Sequence, residues 1–257
     1  MNRELAEFVS HAATTTRHIV RCPDGEYRIW RSRSGAEVWL HYPMPSGQQA
    51  GAALTAPHFD PIDQLMGLSI AHAGRSAVTL RIGRSLRIAP NNRLDGVSIA
   101  TLASSRSGER RVPFTFELIG FAAEPQKQAF VADVHVVGLA QRIWAYATET
   151  DYLRATPAHL LIGKGSMLEV EPSDVPEVPM IYRPKPGTLW LITGEVVRSV
   201  RLVNEITGEP YMQIELATDR GTFDLLSSPE MIEGDVSHGH TVAALAALSG
   251  RIVRGRQ

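Results

Sequence analysis

The stretch Pro57-His58-Phe59-Asp60-Pro61-Ile62-Asp63 places an imidazole and two carboxylates within six residues of a turn stiffened by two prolines. These groups ligate divalent metals, and a metal held by His58, Asp60 and Asp63 would supply a hydrolytic centre. Such a site needs three or more convergent donors, which spacing in a loop does not establish. The preferred reading is structural: Asp60 and Asp63 cap local backbone groups, and His58 packs at a domain surface. His238-Gly239-His240 offers two further imidazoles, which share a face if the segment is extended. Gly239 favours a loop instead, and Asp235 is the nearest third donor. His135 and His159 stand alone and read as packing or surface residues.

The strongest charge feature is the span from Arg75 to Arg111, where eight arginines face only Asp95 and Glu109, a net charge of +6. Read as strands broken near Gly83, it puts Arg81 and Arg87 on a shared face that could meet a small anion or an acidic protein surface. The alternative is a solvated face whose arginines pair with the acidic remainder. Residues 188–257 carry six basic and nine acidic residues, net −3. Lysine is nearly absent, with only Lys127, Lys164 and Lys185, but a genomic bias toward arginine accounts for that and specifies no ligand.

Other chemistry is excluded by spacing. Gly163-Lys164-Gly165-Ser166 lacks the first glycine of a phosphate-binding loop, since Ala158 stands at that position. No Gly-x-Ser-x-Gly elbow occurs, and Cys22, the single cysteine, precedes Pro23 without a readable partner. One cysteine permits neither an intrachain disulfide nor a four-thiolate site.

The elements that would position these residues are mostly strands. Leu5, Phe8, Val9 and Ala12 fall at helical spacing and predict a short amphipathic helix over residues 3–13. A hairpin follows around Ser32 to Gly35, with Trp30 and Trp39 in its strands. Pro43 to Ala53 reads as an exposed loop. Strands are expected at Val78–Ile82, Leu86–Ile88, Val97–Leu102, Phe114–Leu118 and Phe130–Ala147, with Gly138 marking a bulge or turn in the last. Thr150 to Arg154 suggests one helical turn before Pro157. Residues 169–187 hold five prolines and read as a linker.

The last quarter is the most regular part. Leu189 to Val203 is rich in Val and Ile, and the turn Asn204 to Pro210 leads into Met212, Ile214 and Leu216, which alternate with polar neighbours. Asp219-Arg220-Gly221 turns the chain into Thr222–Leu226, and Thr241 to Val253 closes the unit, although its alanines also suit a helix. Met212, Ile214, Leu216, Phe223 and Leu225 are the expected interior.

In its order of elements, its Thr207-Gly208-Glu209 hairpin and its Ser249-Gly250-Arg251-Ile252 ending, this stretch resembles OB-fold domains. The chain also looks like bacterial proteins of uncharacterised function in which such a module follows a longer β-rich domain. The resemblance implies a five-stranded barrel and brings no functional residues with it. The expected architecture is mainly β: an N-terminal β-sandwich or irregular barrel over residues 1–184, including the short helix and the proline-rich linker, then an OB-like barrel over 185–257.

At 257 residues, 44% hydrophobic and 21% charged, the chain has the composition of a folded protein. A net charge of −1 gives no overall field for a polyanion. The sequence has no apolar run of the roughly 18 residues that spans a bilayer, and a cytoplasmic location is expected. OB domains that bind nucleic acid use a basic, aromatic face on strands two and three. Here that face offers Tyr211, Gln213, Glu215 and Asp224, so strong nucleic-acid binding is not expected. The functional reading is a binding or scaffolding protein, with enzymatic activity left open, that needs no cofactor and contacts a protein partner or small anion through Arg81 and Arg87. The alternative is a metal-assisted hydrolase using His58, Asp60 and Asp63.

Overall fold

The structure is a computed structural model that describes residues 3–44, 61–89, 92–103, 113–124, 129–161, 181–182, 189–205, 207–218 and 221–253. It is mainly β and divides into two compact units. The first comprises Met1–Ala73, Leu80–Ala132 and Gly250–Ile252; the second comprises Gly74–Thr79, Asp133–Ser249 and Val253–Gln257. Among the described residues no helix is long and apolar enough to cross a membrane.

The first unit opens with α1 (Arg3–Thr15), where the 3.6-residue spacing buries Val9, Ala12 and Ala13. Phe8 meets the Trp30 ring edge-on at 5.2 Å. The helix end is tied down by the buried Arg28, whose Nη1 donates to the Ala13 carbonyl at 2.6 Å, a cation serving the negative end of the helix. Arg28 and Trp30 belong to an antiparallel meander of β1 (Ile19–Cys22), β2 (Gly25–Arg31), β3 (Ala36–Tyr42) and β4 (Gly67–His72). The hairpin expected around Ser32 to Gly35 joins β2 to β3, with Gly35 at a φ of 95°. Strand alternation gives this sheet two apolar faces. Leu40 and Tyr42 pack under α1, while Tyr27, Ile29, Trp39 and Ala71 pack with Leu94 and Ile119 of the neighbouring strands. Those strands are β5 (Val78–Ala89), β6 (Asn92–Leu102) and β7 (Phe114–Ile119), paired antiparallel as β5-β6-β7.

In the second unit five strands close a ring: β8 (Phe130–Tyr146), β10 (Trp190–Val203), β11 (Pro210–Thr218), β12 (Gly221–Ser227) and β14 (Thr241–Ile252). The short β9 (Ile181–Tyr182) and β13 (Ile232–Glu233) add to β10 and β8. β10 pairs antiparallel with β11, β11 with β12, and β14 with β10; the ring closes through β8, which lies parallel to β12 and also pairs with β14. β10 serves two neighbours by changing partner at Glu195, which is opposite both Ala217 and Thr241.

The ring interior holds Ile192, Val196, Ile214, Leu216, Phe223 and Leu225, all fully buried. Met212, expected among them, is only half-buried and lies near the start of β11. Gly138 does not divide β8. It faces inward, where a Cβ would stand 2.7 Å from Leu225 and 3.1 Å from Ala246, so the missing side chain is what lets its neighbours fill the ring. The alanines of β14 have the same cause. The strand is buried on both faces, with Ala244 and Ala246 also fully buried and Ala243 packed with Trp144, Tyr152 and Leu191. Tyr152 is carried by α2 (Glu149–Leu161), which is longer than the single turn expected and starts at Thr148, whose Oγ1 accepts from the Asp151 N–H at 3.1 Å.

The ring expected from residues 188–254 thus draws its fifth strand from β8, and the second unit takes in Asp133–Ser249 where the sequence placed its start at 185. Apart from Ile181 and Tyr182, the proline-rich stretch of 169–187 lies outside the described residues, as does most of the loop expected over 43–53.

Candidate functional site

The arginine-bearing strand β5 is bulged, and the bulge decides which side chains share a face. Arg81 is opposite Thr101 and Ile82 opposite Ala100, but after a register shift at Gly83, Arg84 is opposite Ile99, Leu86 opposite Val97 and Arg87 opposite Gly96. Thr101, Ile99 and Val97 alternate onto one face of β6, and Gly96 lies on the other. Arg81 therefore shares its face with Arg84 and Leu86, while Arg87 points to the opposite side. This corrects the expectation that Arg81 and Arg87 lie side by side, since one extra residue reverses the parity of everything after it.

The surroundings differ as well. Arg87 Nη2 lies 3.8 Å from Asp24 Oδ2, and Arg93 reaches the same carboxylate at 3.1 Å. Arg81 and Arg84 are exposed and have no ion-pair partner among the described residues. Leu86 is exposed beside them, and Val97 and Ile99 are half-buried, so the face combines two exposed guanidinium groups with an apolar centre.

A second constellation carries residues that sequence reasoning did not single out as a site. On the inner face of the meander, His41 of β3 and Ser69 of β4 meet Asp95 of β6 and Glu117 of β7. His41 Nδ1 lies 2.5 Å from Asp95 Oδ1, with the ring N–H not aimed along the contact, so the two atoms are close without a hydrogen bond between them. Ser69 Oγ is 3.2 Å from His41 Nε2 and donates to Glu117 Oε1 at 2.9 Å. The Tyr27 ring stands edge-on to the imidazole at 4.9 Å. Burial pushes the Glu117 carboxyl upward, and Asp95 adds to this, against the Ser69 hydrogen bond and the charge of His41.

These distances are those of a Ser-His-Asp triad, yet the arrangement does not activate a nucleophile. The hydroxyl gives its proton to a carboxylate instead of to the imidazole, and Ser69 and His41 are 5% and 1% exposed. A fluorophosphonate probe is accordingly expected to leave Ser69 unmodified in the folded protein, as intact-mass measurement would show; stoichiometric labelling would make it a catalytic serine. The only signal in the sequence was the alternation of β3, which puts His41 on the same face as Trp39 and Glu37.

Glu37 is a buried carboxylate, held by Arg31 Nε at 2.8 Å, Arg251 Nε at 3.2 Å and the Trp39 indole N–H at 3.0 Å. Burial lowers the Arg251 pKa, and Glu37 works against that shift. With both oxygens taken by paired donors, this group is structural.

In the second unit, Glu215 of β11 stands directly opposite Asp224 of β12. Gln213 Nε2 donates to Asp224 Oδ1 at 2.9 Å, Ser76 Oγ donates to Glu215, and a Cβ on Gly74 would fall 2.1 Å from Asp224 Oδ2. Residues 74–76 thus sit against this strand pair. Burial raises the Asp224 pKa, Glu215 raises it further, and Gln213 and Arg75 oppose the shift.

No family model, curated protein or solved structure matches this chain. The assignment of function therefore rests on its own geometry.

The remaining sequence candidates are dispersed. His58 and Asp60 lie outside the described residues, and Asp63 is an exposed turn residue. His238 Nδ1 is 3.0 Å from the Val197 carbonyl and His240 Nδ1 is 2.8 Å from that of Asp235, so each imidazole fastens its loop to a different backbone oxygen. Among the described residues no group of three or more His, Cys, Asp or Glu side chains could hold a metal ion. Cys22 is buried, its Sγ 3.1 Å from the Gly25 carbonyl, and burial pushes its thiol pKa up, away from the reactive thiolate.

Proposed function

We propose that this chain is a binding protein that docks an acidic protein segment on the face of β5 bearing Arg81 and Arg84, and that its second unit is an OB-type barrel serving as scaffold. The observation that carries the proposal is the pair of exposed guanidinium groups, free of ion pairs among the described residues and flanked by Leu86, Val97 and Ile99. An aliphatic centre rimmed by arginine suits a peptide that presents carboxylates around an apolar residue.

The OB reading is supported by the ring. A meander of three strands, a fourth strand returning beside the first, and a fifth parallel to the third is the connectivity of that barrel, with the fifth strand supplied from earlier in the chain. Its strand-two and strand-three face bears Glu215 and Asp224 and is occupied by residues 74–76, which argues against a nucleic-acid groove there. Binding of single-stranded DNA or RNA no tighter than micromolar at physiological salt fits this reading.

The test is fluorescence anisotropy with a labelled acidic peptide containing a central leucine. Replacing Arg81 and Arg84 together by alanine is expected to weaken binding about tenfold or more and to flatten its salt dependence, because each exposed pair contributes modestly to affinity but strongly to steering. Arg87→Ala, which removes a residue already near Asp24, is expected to change affinity less than about twofold. Equal effects of the two changes, or no salt-sensitive binding by the parent protein, would overturn the proposal. Competition by inorganic phosphate at equal charge would shift the ligand class to a small anion.

A further inference from the structure

Strand register sets the side chains of the first unit in rows. On the face of β5 that bears Arg81 and Arg84, one row across β5, β6 and β7 is Leu86, Val97 and Glu117, and the next is Arg84, Ile99 and Thr115. Rows on one face are about 7 Å apart, two residues of strand. The meander crosses these strands instead of following them: Ser69 of β4 donates to Glu117 of β7, whereas His41 of β3, directly opposite Gly67, lies against Asp95 of β6. β3 thus covers the level of Asp95 and β4 the level of Glu117, as in sheets packed at right angles. The row of Arg84, Ile99 and Thr115 lies one step past β4. Ile99 and Thr115 are half-buried, and Arg84 is exposed.

β4 ends the meander on that side. The Ser32 N–H donates to the Ala36 carbonyl and the Ala73 N–H to the Gly35 carbonyl, so even-numbered residues of β3 bond β2 and odd-numbered ones bond β4. Ser69 and Ala71 accordingly turn their backbone groups to β3, and Leu68 and Ile70 turn theirs to the outer edge. Among the described residues β4 pairs with β3 alone, and none bonds the backbone of Leu68 or Ile70. The Ile70 side chain is 44% exposed, so water reaches this edge. An uncovered edge of this kind is a template for a further strand.

We propose that the acidic segment of the partner binds as a fifth strand of the meander, hydrogen-bonded to Leu68 and Ile70 along the edge of β4. The inference rests on the acidic-segment reading above and adds the backbone mode that places the segment. A strand added about 4.8 Å beyond β4 passes over the row of Thr115, Ile99 and Arg84. Every second side chain of that strand points down onto the row. The one over Ile99 calls for an apolar residue, and the next, two positions on, meets Arg84, with Arg81 farther along β5, and calls for a carboxylate. Main-chain bonds then supply affinity, and the alternation of apolar and acidic residues supplies selectivity. Glu117, one row back, is covered by Ser69 and engaged by its hydroxyl.

Backbone amide hydrogen exchange of the full chain, with and without a saturating acidic peptide containing a central leucine, tests the mode. The Leu68 and Ile70 amides are expected to slow about tenfold or more on binding, while those of Ser69 and Ala71, already bonded to β3, change little. Two versions of the peptide, N-methylated at one or the other alternate set of residues around the leucine, are expected to differ in affinity about tenfold or more, because only one set donates to β4. Unchanged exchange at Leu68 and Ile70 under saturation, or equal affinity of the two methylated peptides, overturns the strand mode. If replacing Arg81 and Arg84 by alanine still weakens binding in that case, the acidic-segment reading stands without it. A parent protein that binds no such peptide removes both. Slow exchange at Leu68 and Ile70 in peptide-free protein that sediments as a dimer assigns the edge to a second copy of the chain and also overturns the proposal.

Discussion

Gly194→Ala is expected to lower the stability of the second unit by roughly 3 kcal/mol, with a fall in melting temperature of about 6–12 °C. A Cβ at this position would stand 2.1 Å from the Ala217 carbonyl oxygen and 3.0 Å from Leu216 Cγ. The first is backbone, so no side-chain rotamer relieves the contact. The residue lies one step before Glu195, where β10 exchanges β14 for β11, and the close approach of β11 is what allows one strand to serve both. Gly208→Ala is the comparison: it has a φ of 74° but nothing within 4 Å of the added carbon, so it reports conformational strain without a clash and is expected to cost about 1 kcal/mol. Thermal unfolding of both variants checks the difference. A Gly194 variant as stable as the Gly208 variant would mean that the ring is looser at this corner than its geometry states.

Asp224→Asn is expected to stabilise the protein at neutral pH by about 1–3 kcal/mol, the cost attached to a buried charged oxygen left without a partner. Asp224 is 2% exposed, its Oδ2 has no hydrogen-bond partner, and Glu215 stands opposite. Its folded pKa is raised, chiefly by burial, so its carboxyl favours the folded state below the unfolded pKa and loses that contribution as pH rises through the folded value. The parent protein therefore bears the penalty at pH 7. Asparagine keeps an oxygen for Gln213 and removes the charge, so its advantage should shrink as pH falls toward about 4, where an ordinary aspartate also protonates. Urea unfolding at several pH values measures this. A destabilised Asp224→Asn at pH 7 would show that the carboxylate is balanced by a cation, Arg75 being the one whose charge opposes the shift of Asp224.

Particular residues show how far patterning reaches. The hairpin through Gly208 was legible because positive φ and flanking alternation are local properties, and β10 and β11 pair across it. The alanines of β14 left helix and strand equally open, since a strand buried on both faces has no period of two to read. Gly138 was legible as an anomaly but not as an inward-facing position, because the residues that fill its space, Leu225, Ala246 and Ile192, lie 54 or more positions away in the chain.

By itself the sequence determined the mainly β character, the amphipathic α1, the meander from β10 to β12 and most of its buried side chains, because each depends on period, turn chemistry and burial within a few neighbouring residues. It also fixed the charge contrast between the arginine-rich span and the acidic last quarter. The closing of the ring by β8, the bulge at Gly83 that moves Arg87 off the face of Arg81, and the meeting of His41 with Asp95 and Glu117 were decided only by the tertiary structure. All three depend on strand register between distant segments, and a shift of one residue exchanges the two faces of a strand without leaving a mark on its composition.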